Sequence, residues 1–178
     1  MAHRKILTSE EKTLYKHCRE VTNFDDRLHT LLNDMHDTLK EADGVGLAAP
    51  QVGVLRRAVL VLETNVPEGE LPYVIELINP EITESSGEQY GPEGCLSVPG
   101  RYGLVRRPME VTVRAQDRDG KSFEVHGTGL TARAFCHEID HLEGVVFTSR
   151  AERMLTDEEL ETGSWMEDED VSGEDVSE

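Results

Sequence analysis

No run of about 18 apolar residues occurs anywhere in the 178-residue chain, which excludes a membrane-spanning helix from the reading. The opening "MAHRKILTSEEK" is briefly basic but has no apolar stretch behind it, so no secretory signal is expected and the cytoplasm is the expected location. Cysteine is scarce. Cys18, Cys95 and Cys136 are an odd and sparse set, which argues against a disulfide framework and for a reducing compartment in which thiols stay free to bind metal. Basic residues are missing altogether after Thr156, where eleven carboxylates stand unopposed.

That last absence locates the net charge of −18. Through Thr156 there are 25 acidic residues against 18 basic ones, an ordinary −7. Residues 156–178 therefore read as a separate acidic tail, solvated and poorly ordered, and residues 1–155 as one domain of sufficient length for a sizeable core. Such a tail repels phosphates, so no direct nucleic-acid binding through it is expected. Leu155, Leu160, Trp165 and Met166 offer the alternative of a short amphipathic segment folded back on the body.

What is present along the domain has clear periodicity. Apolar residues at Phe24, Leu28, Leu31, Leu32, Met35, Leu39 and Ala42 predict an amphipathic helix, with Asn23 as N-cap and Gly44 as stop. "RAVLVLE" (57–63) and "YVIELINP" (73–80) predict strands. "MEVTVRAQD" and "KSFEVHG" alternate around "RDG", a hairpin signal at Asp119-Gly120. "TARAFCHEIDHL" (131–142) predicts a second helix, capped by Thr131 and stopped at Gly144. This order implies an α+β fold, with antiparallel β-sheets packed around a central C-terminal helix and an amphipathic helix near the N-terminus.

Within the second helix lies H-E-x-x-H. His137 and His141 are four residues apart, so both imidazoles stand on one face and can aim at one ion. Glu138 is turned about 100° around the axis, near enough to take a proton without being a ligand. That division of labour suits metal-assisted hydrolysis. A catalytic site of this kind needs a third protein ligand and an open position. Zinc proteases with this motif usually draw the third ligand from downstream, but the downstream carboxylates fall largely in the tail. Upstream, Cys95 in "PEGCLSVPG" lies beside Gly94, where backbone can come close to a ligand. Its alternative is a small buried hydrophobe.

Three segments, "GVGLAAPQ" (44–51), "EGCLS" (93–97) and "HEIDHLEG" (137–144), together resemble the peptide deformylases in order and interval. "RKILT", "ADG", "LINPEI" and "SVPGRYGLVRRP" extend the resemblance over about residues 1–150. It implies a metal-dependent hydrolase that removes the formyl group from the N-terminal formylmethionine of newly made polypeptides and releases formate. It implies Cys95, His137 and His141 as ligands of one divalent metal, natively Fe(2+), with Zn(2+), Ni(2+) or Co(2+) possible in preparations. Glu138 would be the general acid/base, and Gln51 and the Leu96 N–H would stabilise the oxyanion. The partners it implies are N-formylmethionyl nascent chains, with transient proximity to the ribosome.

Formamide hydrolysis requires an activated water, stabilisation of the tetrahedral oxygen and a proton for the leaving amine, and these residue types supply all three. Gly46 is expected to leave backbone bare for an extended peptide to pair against. Gly44 either serves turn geometry or shares that task. Gly94, Val45, Leu130 and Ala134 are candidates for substrate contact, the last three for a methionine pocket or for plain core. Asp140 is expected to fix the helix by pairing with Arg107 or Arg106. Cys136 stands where the family often has glutamine, and is expected to pack beside the site and not to ligate.

Two other readings use the same helix: a zinc endopeptidase, and a metal- or peptide-binding module without catalysis. Cys95 argues against the first, and the retention of Glu138 and Gln51 against the second. Truncation after Thr156 is expected to leave co-sedimentation with ribosomes unchanged; weaker co-sedimentation would contradict the reading of the tail.

Overall fold

The computed structural model describes residues 2–168. Helix α1 spans Asp26–Ala42. It starts two residues later than the apolar pattern implies, because the Asp25 carboxylate, not Asn23, accepts from the Leu28 N–H at 3.2 Å. It stops on Asp43, in the left-handed region at φ 54°, so Gly44 is not the residue that turns the chain.

Strands β1 (Gly46–Ala48), β2 (Ala58–Glu63), β3 (Tyr73–Ser86), β4 (Gln89–Cys95), β5 (Val98–Arg107), β6 (Glu110–Gln116) and β7 (Ser122–Thr128) follow. Helix α2 (Gly129–Leu142), the two-residue β8 (Arg153–Met154) and the short α3 (Asp157–Thr162) complete the order. All strand pairs are antiparallel, in a five-stranded sheet ordered β1-β2-β3-β6-β7 and a three-stranded sheet ordered β4-β5-β8. The architecture is α+β with antiparallel sheets. Among the described residues, no helix is long and apolar enough to cross a membrane.

Three boundaries differ from the sequence pattern, each for a local reason. β3 runs through Pro80 to Ser86, since register shifts between Ile78 and Glu84 take the proline out of the regular ladder. α2 begins at Gly129, with Thr128 at the N-cap; Thr131 lies inside and donates to the Glu63 carboxylate at 2.9 Å. β4 and β5 form a hairpin from a stretch so rich in glycine and proline that alternation is hidden.

Period-2 alternation in β2 sets the layers. Val59 and Val61 pack toward α2 with Phe135 and Leu142, while Ala58 and Leu60 pack toward α1 with Leu32 and Met35. A third cluster, Leu14, Val98, Val105, Val146 and Phe147, joins β5 to the segment after α2. The acidic segment opens as α3, where Thr156 and Glu159 form a capping box and Arg153 pairs with Glu159 at 2.7 Å. Leu155 is buried and Met166 exposed; residues 169–178 lie outside the described residues, and so does the expectation of poor order there.

Away from the helices' shared core, Glu76 on β3 accepts from Arg118 Nε at 2.9 Å and His36 Nε2 at 2.8 Å. Burial alone would raise its pKa, but Arg118 and His36 outweigh burial and hold it at about 2, below the usual 4.5. A depressed carboxyl pKa stabilises the fold above the unfolded value and ceases to do so as pH falls through the folded one. Glu76→Gln should therefore lower Tm at pH 7, with the gap from wild type closing between pH 4.5 and 2. A gap that stays constant over that window would contradict the assignment.

Candidate metal centre

α2 carries its polar residues into the interior, with ten of its fourteen residues buried, among them His137, Glu138 and His141. Such burial is tolerated only where each polar group finds a partner. His137 finds one in Glu93 of β4: its Nδ1 donates to Oε2 at 2.8 Å, so that Nε2, which faces His141, carries the lone pair once the ring is neutral. His141 Nε2 lies 3.3 Å from His137 Nε2 and 3.4 Å from Cys95 Sγ. All three ligand atoms fall within 4.8 Å of one another.

These separations fit an ion. Bonds of about 2.0–2.1 Å to nitrogen and about 2.3 Å to sulfur in a tetrahedral array span ligand edges of roughly 3.3–3.6 Å. The donor set, two imidazoles and a thiol, is one that soft and borderline divalent metals accept. Among the described residues this is the one cluster of metal-ligating side chains so arranged. Cys136, by contrast, packs into the core with Ala134, Phe135 and Leu142, and burial raises its thiol pKa.

The two rings titrate in opposite directions. Burial would lower His137, but hydrogen bonding to Cys95 and Glu93 holds it up at about 10. Burial and the neighbouring His137 push His141 down to about 3. A cation held by this set would have to displace a proton from His137. Burial also raises the Glu138 carboxyl to about 7, a value suited to taking up and returning a proton near neutrality. Its Oε1 is 3.7 Å from His137 Nε2, and Oε2 is buried without a hydrogen-bond partner among the described residues.

Glu93 has no individual role in the sequence reading, yet it organises the site. It accepts from Arg107 Nε and Nη2 at 3.0 and 2.7 Å, from Arg133 Nη1 at 3.0 Å and from His137. Burial opposes its ionisation, but His137 and Arg107 hold its pKa far below the usual carboxylate range. Of the two candidate partners for Asp140, Arg107 makes the bond, at 2.7 Å, while Arg106 turns to Glu152 at 2.6 Å. Arg150 also grips Asp140, at 2.6 and 3.0 Å. The signal for Glu93 was its place two residues before Cys95: a charge at an inward position of a strand must be paired.

Gln51 is held in one orientation. The Ala48 N–H donates to its Oε1 at 2.9 Å, so Nε2 faces the site and donates to Ser97 Oγ at 3.1 Å and Cys95 Sγ at 3.5 Å. A cleft of about 450 Å³ opens over these atoms. It is lined by Val45, Gly46, Gly94, Leu96, Leu130 and Ala134 together with Gln51, Cys95, His137 and Glu138. His141 lies beneath, fully buried. Val45 and Leu130 are about half exposed, so they are cleft wall and not plain core.

Three of the cleft glycines answer to space, not to turns. None of Gly44, Gly46 and Gly94 has a positive φ. A Cβ on Gly44 would stand 2.8 Å from Leu96 Cδ1, and one on Gly94 would stand 2.5 Å from the Tyr102 ring. Turn geometry is thus not what Gly44 provides.

Known proteins similar to this chain are numerous. The family model described as polypeptide deformylase matches residues 3–156. The peptide deformylase of Caldicellulosiruptor bescii is 52% identical over 161 residues, covering 90% of this chain and 93% of its own. Peptide deformylase 1 of Bacillus anthracis is 52% identical over 161 residues, covering 90% of this chain and all of its own. The crystal structure of a peptide deformylase from Legionella pneumophila superposes with a TM-score of 0.77 at 41% identity, covering 98% of this chain and 100% of that one. The chain therefore belongs to the peptide deformylase family, metal-dependent hydrolases that remove the N-formyl group from new polypeptides.

Proposed function

We propose that Cys95, His137 and His141 hold one divalent cation, natively ferrous iron, and that the cleft above them deformylates N-formylmethionyl peptides. Zinc, nickel and cobalt suit the same donors. The chemistry a bound ion of this kind supplies is Lewis acidity, which makes water acidic near neutral pH and polarises a carbonyl. The rest falls to the chain's own groups. Glu138 takes the proton released by the attacking water and returns it to the leaving amine. The fixed Gln51 Nε2 and the Leu96 N–H on the cleft wall donate to the oxygen on which charge develops, a contribution of roughly 2.7–4 kcal/mol per donor in comparable sites.

The observation that carries this reading is the convergence of three ligand atoms at the floor of a cleft whose wall holds both an ionisable carboxylate and a directed amide donor. For the substrate, β1 is an edge strand of its sheet, and an edge can accept an extended peptide by strand addition. Val45, Leu130 and Ala134 supply apolar wall for a methionine side chain, and Gly94 lets the peptide backbone approach β4. Nascent chains place the work in the cytoplasm near the ribosome exit, without anchoring through the acidic segment after Thr156.

The test pairs two peptides. Metal-loaded protein should release formate from formyl-Met-Ala-Ser and leave the unformylated peptide intact, while Glu138→Gln should lower kcat by about 10²–10⁴-fold with metal retained. Internal cleavage without formate, or a Glu138→Gln variant of wild-type rate, would contradict the assignment.

A further inference from the structure

Gly46 lies in β1, buried, with its backbone paired to Val61 of β2. Its φ is outside the left-handed region, so the backbone there suits any L-residue. Space is what glycine provides. An ideal Cβ at this position would stand 2.9 Å from Glu138 Cγ and 3.0 Å from both Cδ and Oε1. Carbon atoms at their best separation are about 3.5–4.0 Å apart, so the contacts to Cγ and Cδ are repulsive.

The strand cannot move aside freely, so the carboxylate must. β1 is pinned by its ladder to β2, and Ala48 of β1, Val59 and Val61 of β2, and Phe135 of α2 share one buried cluster. Glu138 is 3% exposed, with His137 Nε2 at 3.7 Å from Oε1. We infer that Gly46 is a positioning residue for Glu138: the backbone of β1 is the flat wall against which the proton-carrying carboxylate rests, and any side chain at 46 would push that carboxylate off its station. The inference rests on the reading of Glu138 as proton carrier. It departs from the reading in which Gly46 merely leaves backbone bare for the peptide.

Gly46→Ala separates these jobs. If the glycine seats Glu138, kcat falls by roughly 10- to 100-fold, as misplacement of a reacting group by about 1 Å predicts, with KM for formyl-Met-Ala-Ser and metal content unchanged. A raised KM with kcat preserved would mean that Gly46 serves peptide binding, and would overturn the inference.

A thermal cycle supplies a readout that does not depend on turnover. Gly46→Ala should lower Tm in the wild-type background and have little effect in Glu138→Ala, where the obstructing atoms are gone. Glu138→Asp keeps a carbon at the Cγ position but loses Cδ and Oε1, so the Tm loss from Gly46→Ala should there fall between the other two, a readout that remains should Glu138→Ala prove too unstable to measure. An equal Tm loss in wild-type and truncated backgrounds would overturn the inference. The reading of Glu138 itself fails by a different result, wild-type turnover by Glu138→Ala, which leaves the thermal cycle standing.

Discussion

Buried among two guanidinium groups and an imidazole, the Glu93 carboxylate ties β4 to β5 and both to α2. The two sheets share no strand, so the cleft between them keeps its width only if something fixes the hairpin to the helix. Removing one partner from a buried ion pair typically costs about 3–5 kcal/mol, because the other charges are left uncompensated. Here the same carboxylate also sets the His137 tautomer. Stability of the hairpin and orientation of the His137 ring, one of the three candidate metal ligands, thus rest on one side chain.

From that constraint the site follows in order. Arg107, held by Glu93, reaches Asp140 one turn away on α2, and Arg150 closes the other side of Asp140. The helix is thereby fixed in rotation, which places His137 and His141 over Cys95. On the opposite flank β1 supplies the second wall, and its terminal Ala48 N–H orients Gln51. Glu93, Arg107 and Gln51, brought inside, are each satisfied by neighbours that also have a geometric task. Among the described residues, the two buried side-chain atoms without hydrogen-bond partners, Glu138 Oε2 and His141 Nδ1, belong to the site itself.

Much of this is legible in the residues, and the illegible part has physical causes. The i, i+4 histidines, the apolar run of β2 and the alternation of β6 and β7 are local patterns, and all survive folding. The α1 start is misread because Asn23 and Asp25 are equally good caps by type, and only the bond to Leu28 chooses between them. The β4–β5 hairpin is hidden because its glycines make room for the Tyr102 ring and for the side chains beside Gly103, a requirement set by partners distant in sequence. Glu93 and Arg133 escape notice for the same reason. A buried charge is recognised by its partners, and those of Glu93 come from two other elements, β5 and α2.

The central claim is that one thiolate and two imidazoles hold a single cation at the floor of the cleft. Cobalt(II) titration followed by electronic absorption tests it most directly, since sulfur coordination gives a thiolate-to-cobalt charge-transfer band and a four-coordinate site gives strong d–d bands. The account predicts saturation at one cobalt per chain, with the charge-transfer band lost in Cys95→Ser while Cys136→Ser keeps it. A spectrum unchanged by Cys95→Ser, or a band that follows Cys136, would contradict it.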